Sequence, residues 1–172
     1  MEEENLTQAL TYAGFILVAF ELAKGMIVNP IKAFYENSTF GEGMPFKSYE
    51  EDVLSRHKNK FEASLLYLRD FMEAINSEDV MTIQALRKHR NDLAHDLPRM
   101  LSKFDIEYHL PLLEKTSKAL FKLSNYRAYM EVGAHLNIQN IGTNWDTVKG
   151  PEYCLFEEII DKVKILRVNK NA

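Results

Sequence analysis

An arginine set among the apolar residues of a helical stripe is the feature that most narrows the folds open to this chain. At 100° per residue, Ile83, Leu86, Leu93 and Leu97 fall on one face, and Arg90 lies in the middle of it. A guanidinium does not lose its proton, so burying it without partners is expensive. Either an acid meets Arg90 inside the fold, or the stripe faces a cleft or interface where an anion can come. The stretch Leu86-Arg87-Lys88-His89-Arg90-Asn91-Asp92-Leu93-Ala94-His95-Asp96-Leu97-Pro98 is also the one place where basic groups, histidine, amide and carboxylates crowd together.

His95 lies five residues beyond Arg90, about 140° further round an ideal helix, so the two side chains do not converge within a regular helix. Pro98 relaxes this objection. It pushes Leu97 out of the α region and predicts that the last turn around His95 unwinds. Asn91, four residues before His95 on the same face, is placed to fix the orientation of the imidazole. A histidine there has a second possible role, capping free carbonyls at the end of a helix.

The rest of the chain reads as helices. The first runs from about Leu6 to Val28, with Asn5 as its cap and Gln8 in the capping-box place. Phe15, Ile16, Leu17, Val18, Phe20 and Leu22 make it apolar nearly all round, which predicts a central helix or half of a dimer seam. Glu21 and Lys24 are exceptions: they either pair with each other at the surface, or Glu21 is the buried partner of Arg90. Glu36 to Lys47 reads as a loop by its Gly, Pro and Ser content, folded back on the body by Phe40, Met44 and Phe46. Ser48 and Glu51 open a second helix, in which Leu54, Phe61, Leu65, Leu68, Met72 and Ile75 step at three, four and seven. Arg56, His57, Lys58 and Lys60 near its start form a solvated face or extend a basic rim. Asn76 to Asp79 is a turn and helix N-terminus leading into the Arg90 helix from Val80.

After Pro98 a short segment reaches Asp105, and a long helix follows, with a break expected at Pro111. Leu113, Leu120, Phe121 and Leu123 supply its apolar face, and it runs towards Gly133. Asn137 to Gly150 is polar and holds Trp145. Pro151 opens a last helix with Phe156, Ile159, Ile160, Val163 and Leu166 as its stripe. Seven Gly and five Pro in 172 residues suit helices better than a turn-rich β fold.

Charge and motifs exclude several function classes. The net charge of −4 argues against a general nucleic-acid coat, which needs a basic face. Locally the sign reverses: Arg87, Lys88, Arg90, Arg99 and Lys103 stand against Asp92 and Asp96. A single cysteine, Cys154, excludes an internal disulfide and multi-cysteine metal sites. His57, His89, His109 and His135 form no His-Glu-x-x-His or other ligand pattern, and no phosphate loop, dinucleotide glycine triplet or Gly-x-Ser-x-Gly elbow is present. No metal and no cofactor are therefore expected. Tyr126 and Tyr129 either stack on bases or pack in the core. Phe15 to Phe20 is apolar, but Glu21 and Lys24 interrupt the run before the roughly 20 residues a membrane span requires. Glu2, Glu3 and Glu4 have the wrong sign for the start of a signal peptide. A soluble, cytoplasmic protein with no membrane association is expected.

Arg90-Asn91-Asp92-Leu93-Ala94-His95 resembles the R-x4-6-H signature of HEPN domains, including the frequent polar residue directly after the arginine. Its position, late in a middle helix and after a long apolar first helix, fits the same family. HEPN domains are all-α, occur in prokaryotic toxins, abortive-infection proteins and CRISPR effectors, and many are RNases. The resemblance implies that residues 1–172 form a single HEPN-like helical domain of about five main helices that pairs as a two-fold homodimer, both motifs facing one cleft. It further implies a metal-independent endoribonuclease, a toxin or phage-defence protein, leaving 2′,3′-cyclic phosphate ends. RNA carries its own nucleophile, the 2′-OH, so the protein has to move protons and stabilise charge on phosphorus. His95 then serves as general base or acid. Arg90 holds the phosphate and its transition-state charge, and Asn91 positions the histidine or the phosphate. Arg87, Lys88 and Arg99 are the expected RNA contacts, with Glu21 and Asp92 in support. Besides RNA, an antitoxin or regulatory protein is a possible partner. Some HEPN toxins carry a tyrosine two residues after the histidine, modified by a partner nucleotidyltransferase. Leu97 occupies that position here, which puts that form of control in doubt. The alternative is a non-catalytic HEPN-like helical dimer that binds a partner protein or nucleotide.

Overall fold

Helix α1 spans Glu3–Asn37, and the four other long helices all pack against it. The computed structural model describes residues 3–100, 106–130, 142 and 144–169. Among these residues the chain is all-α, with six α-helices, two 3₁₀ turns and no strand. α1 buries Tyr12, Ile16, Ala19, Phe20, Ala23 and Ile27 at the centre of one contiguous core.

α1 is longer than the expected Leu6 to Val28. Its continuation through Pro30 overrides a penalty of roughly 3 kcal/mol for an interior proline. Two anchors in the extra turns explain this. Ile31 is buried, and the Tyr35 hydroxyl donates to Asp52 Oδ2 at 2.7 Å and lies 3.2 Å from the Tyr67 hydroxyl. The length also corrects the membrane argument. Despite Glu21 and Lys24, Leu6–Asn37 is long and apolar enough to cross a bilayer by length and composition, although half of its most apolar stretch is buried against other helices.

The helix expected to start at Ser48 is interrupted. Ser48 does cap it, accepting from the Glu51 N–H at 3.1 Å, but α2 is only Tyr49–Asp52. A 3₁₀ turn follows at Leu54–Arg56, and α3 begins afresh at Lys60–Asp70 under Asn59, whose side chain accepts from the Phe61 and Glu62 N–H groups. α2 stops where the Asp52 carbonyl accepts from Arg56 Nε at 2.6 Å, while the Arg56 N–H goes to the Val53 carbonyl. The Asp52 carboxylate takes the Lys47 N–H and the Tyr35 hydroxyl, both at 2.7 Å. The break shifts the register, so Val53 enters the core in place of the expected Leu54, which is only half-buried.

α4 spans Ser77–Met100. Its start is a reciprocal cap: Asn76 Oδ1 accepts from the Asp79 N–H at 2.9 Å, and Asp79 Oδ2 accepts from the Asn76 N–H at 3.0 Å. Lys122 reaches back to the same carboxylate at 2.7 Å and ties α4 to the next helix. That helix, α5 (Ile106–Ala128), runs through Pro111 without the expected break. The proline lies near its start with its ring exposed. The course from residue 131 towards Gly133, and residues 137–141 and 143 of the Asn137 to Gly150 segment, lie outside the described residues. The described end of that segment is a 3₁₀ turn at Trp145–Thr147, held by the Asn125 amide on the Trp145 and Val148 carbonyls. α6 spans Pro151–Asn169 with its proline at the first position as expected, and buries Phe156, Ile159, Ile160 and Val163.

Candidate functional site around Arg90

α4 lies against α1 and α3, and two rings and three acids receive its cations. Arg90 is two-thirds covered. Its guanidinium sits 5.4 Å from the centroid of the Phe20 ring. Nη2 reaches Glu21 Oε1 at 3.3 Å, and Nη1 donates to Asn91 Oδ1 at 3.1 Å. Nε is enclosed and has no hydrogen-bond partner. Phe20 packs edge-on against Phe61 of α3 at 5.6 Å, and Arg87 lies 5.7 Å over Phe61. Two arginines one turn apart therefore rest on two touching rings.

Of the two readings of Glu21, the surface pair with Lys24 forms at 3.1 Å, and the same carboxylate also meets Arg90. It is not a buried partner, however, since half of its side chain is in solvent. Arg90 reaches the edge of the fold beside α1, where an acid can meet it without full desolvation, and this resolves the packing conflict.

His95 is exposed, and no hydrogen bond or ion pair holds it among the described residues. The backbone does break near it, but at Asp96 (φ −117°, ψ 16°) rather than Leu97, and α4 then continues to Met100. The turn from Arg90 to His95 stays helical because the break falls after the histidine. The two residues thus remain about 140° apart and about 7.5 Å apart along the axis, as for any regular helix. Unwinding around His95, expected from Pro98, does not bring it to Arg90. Nor does Asn91 orient the imidazole: its carbonyl oxygen is taken by Arg90.

The other expected site residues have structural partners. Arg87 pairs with Glu62 of α3 through Nη1, and Gln84 donates to the same carboxylate at 2.7 Å. Lys88 and Asp92 pair with each other at 2.8 Å on the exposed face, and Asp92 holds the lysine's pKa above its usual value. Arg99 is exposed on the last turn. Lys103 lies outside the described residues.

Sequence reasoning passed over His89. It is buried, with Nε2 3.0 Å from the hydroxyl of the fully buried Tyr12 of α1. Burial pushes the Tyr12 phenol well above the ordinary tyrosine range, so it stays protonated and able to donate. A signal existed: His89 lies three residues after Leu86 and four before Leu93, on the flank of the apolar stripe. Among the described residues no group of three or more His, Cys, Asp or Glu is arranged to hold a metal ion.

The fold and this face define a class, an all-α helical protein with an arginine seated on an aromatic platform beside a surface acid. Comparison with known proteins finds no family model, no curated protein and no solved structure that matches the chain.

Proposed function

We propose that the protein is a metal-independent endoribonuclease of HEPN type, acting as a homodimer in the cytoplasm as a toxin or defence protein. The observation that carries this reading is the seating of Arg90. Its guanidinium lies over Phe20, is held by Glu21 and Asn91, and is one-third exposed. A cation held in this way is preorganised for a phosphate at little further entropic cost.

Association completes the proposal. Leu10, Leu17 and Val18 are exposed on α1, and no atom lies within 4 Å of where a Gly14 Cβ would sit. With Glu21 they form one helical stripe of spacing four, three, one and three. A two-fold seam along it would bring both Glu21–Arg90 pairs towards one groove. The His95 that one helix holds away from its own Arg90 could then serve the partner's phosphate site. In that groove one His95 takes the proton of the RNA 2′-OH, and O2′ forms a bond to phosphorus. The bond to the 5′-oxygen breaks, and the second histidine protonates that oxygen, leaving a 2′,3′-cyclic phosphate. Arg90 stabilises the added negative charge on the phosphoryl oxygens.

A second reading is a non-catalytic helical dimer that binds a protein or nucleotide. The Glu21 carboxylate beside Arg90 favours it, because a phosphate has to displace or tolerate that acid. The test is cleavage of single-stranded or loop RNA by chelator-treated protein. His95→Ala should slow it about 10²–10⁴-fold. RNA left intact by the wild type, or cut at the wild-type rate by both His95→Ala and Arg90→Met, replaces the nuclease with the binding module.

A further inference from the structure

We infer that the cleft where α1, α3 and α5 end binds a small planar aromatic molecule carrying one anionic group. A half-enclosed cavity of about 460 Å³ opens there, within the roughly 300–1,000 Å³ typical of small-molecule sites. It shares no residue with the Arg90 face.

The chemistry of its walls selects the ligand. Four rings line it, Phe34, Phe46, Tyr67 and Tyr126, together with the thioethers of Met26 and Met72. Rings offered from several directions favour a flat aromatic guest through stacked and edge contacts, and methionine adapts to fill the remaining gaps. The wall is preformed rather than collapsed. Phe34 packs edge-on against Tyr35 at 5.3 Å and Phe46 at 5.0 Å, yet remains over a third exposed. Asp52 fastens the loop that carries Phe46, since it accepts from the Lys47 N–H and from Tyr35. A preformed apolar cleft avoids the ordering cost that otherwise opposes ligand binding.

The polar groups lie together on α5. Arg127 lines the cavity, and its Nη1 lies 3.4 Å from Glu152, with both side chains about two-fifths exposed. A guanidinium has five donors, so an anionic group on the ligand can share it with Glu152. Next to it, the Tyr126 hydroxyl makes no hydrogen bond among the described residues, and burial raises its pKa, which keeps it a donor. A neutral hydrocarbon would leave the Tyr126 hydroxyl unanswered and gain nothing from the positive charge of Arg127.

The test uses the full chain and 8-anilinonaphthalene-1-sulfonate, an aromatic sulfonate of the required shape, with N-phenyl-1-naphthylamine as its neutral counterpart. Saturable one-site fluorescence enhancement and a raised thermal midpoint are expected. Ala33 is an exposed wall position, so Ala33→Trp should block the cleft and weaken sulfonate binding by about tenfold or more, with the helical circular dichroism unchanged. Phe34→Ala, also at an exposed position, should weaken both dyes and guards against a folding defect in the first variant. Tyr126→Phe should weaken the sulfonate and leave the neutral dye unaffected. Met81→Glu, at an exposed position of α4 away from the cleft, should change neither. The inference is overturned by absence of saturable binding, by wild-type binding in both Ala33→Trp and Phe34→Ala, or by loss of binding in Met81→Glu. None of these readouts involves RNA.

Discussion

Replacing Arg90 by methionine separates a site arginine from a structural one. The two residues have similar helix propensity and a similar unbranched stem, so packing over Phe20 is kept. Four contributions change. The ion pair with Glu21, whose side chain is half exposed, is worth about 0–1 kcal/mol. The contact of the guanidinium with the ring contributes about 0.5–1 kcal/mol at a part-exposed position. The hydrogen bond to Asn91 adds about 0.5–1.5 kcal/mol. Against these, the enclosed Nε without a partner costs the native protein about 1–3 kcal/mol. Removing all four leaves a net change centred near zero and within about 2 kcal/mol of it. Urea denaturation at constant m reads this directly, beside the rate of chelator-treated RNA cleavage. The expected pattern is cleavage lost and the midpoint kept or raised. A variant destabilised by more than about 2 kcal/mol would show that Arg90 holds α1 to α4, and the argument from its seating would then fail.

Tyr12→Phe deletes the buried bond to His89 and should cost about 1–2 kcal/mol in the same urea assay; no change would mean that the pair contributes nothing to joining α1 and α4. Leu17→Glu should convert the dimer to a folded monomer in sedimentation, and a persistent dimer would place the seam elsewhere than the Leu10–Leu17–Val18 face. Asn76→Ala removes a reciprocal cap and should lower stability by about 1 kcal/mol, whereas Asn76→Asp should retain most of it. Because burial raises the Tyr12 phenol in the folded state, only the unfolded chain ionises it as pH passes about 10. Its contribution to stability is therefore fully present below that pH and falls above it, and Tyr12→Phe should flatten this alkaline limb of an unfolding titration.

The chain's own local rules determined its helical class and several of its boundaries. Ser48 capping Glu51, the Asn76 to Asp79 turn and Pro151 at a first helical position all act within four residues. The stripes of α4 and α6 follow from the 3.6-residue period alone. Tertiary contacts decided the rest. α1 passes Pro30 because Ile31 and Tyr35 find partners on other elements. The expected second helix breaks where the Asp52 carbonyl takes the Arg56 side chain, while the Asp52 carboxylate is held by Lys47 and Tyr35. Arg90 could be recognised from its own helix as a residue in conflict with its stripe. Its answer, Phe20 and Glu21, lies sixty-nine or more positions away in sequence and depends on how α4 crosses α1. His89 was missed for the same reason, since periodicity marks which face is covered but not whether Tyr12 stands opposite. A helix's period is written in neighbouring residues, while the angle and rotation at which two helices meet depend on every side chain between them.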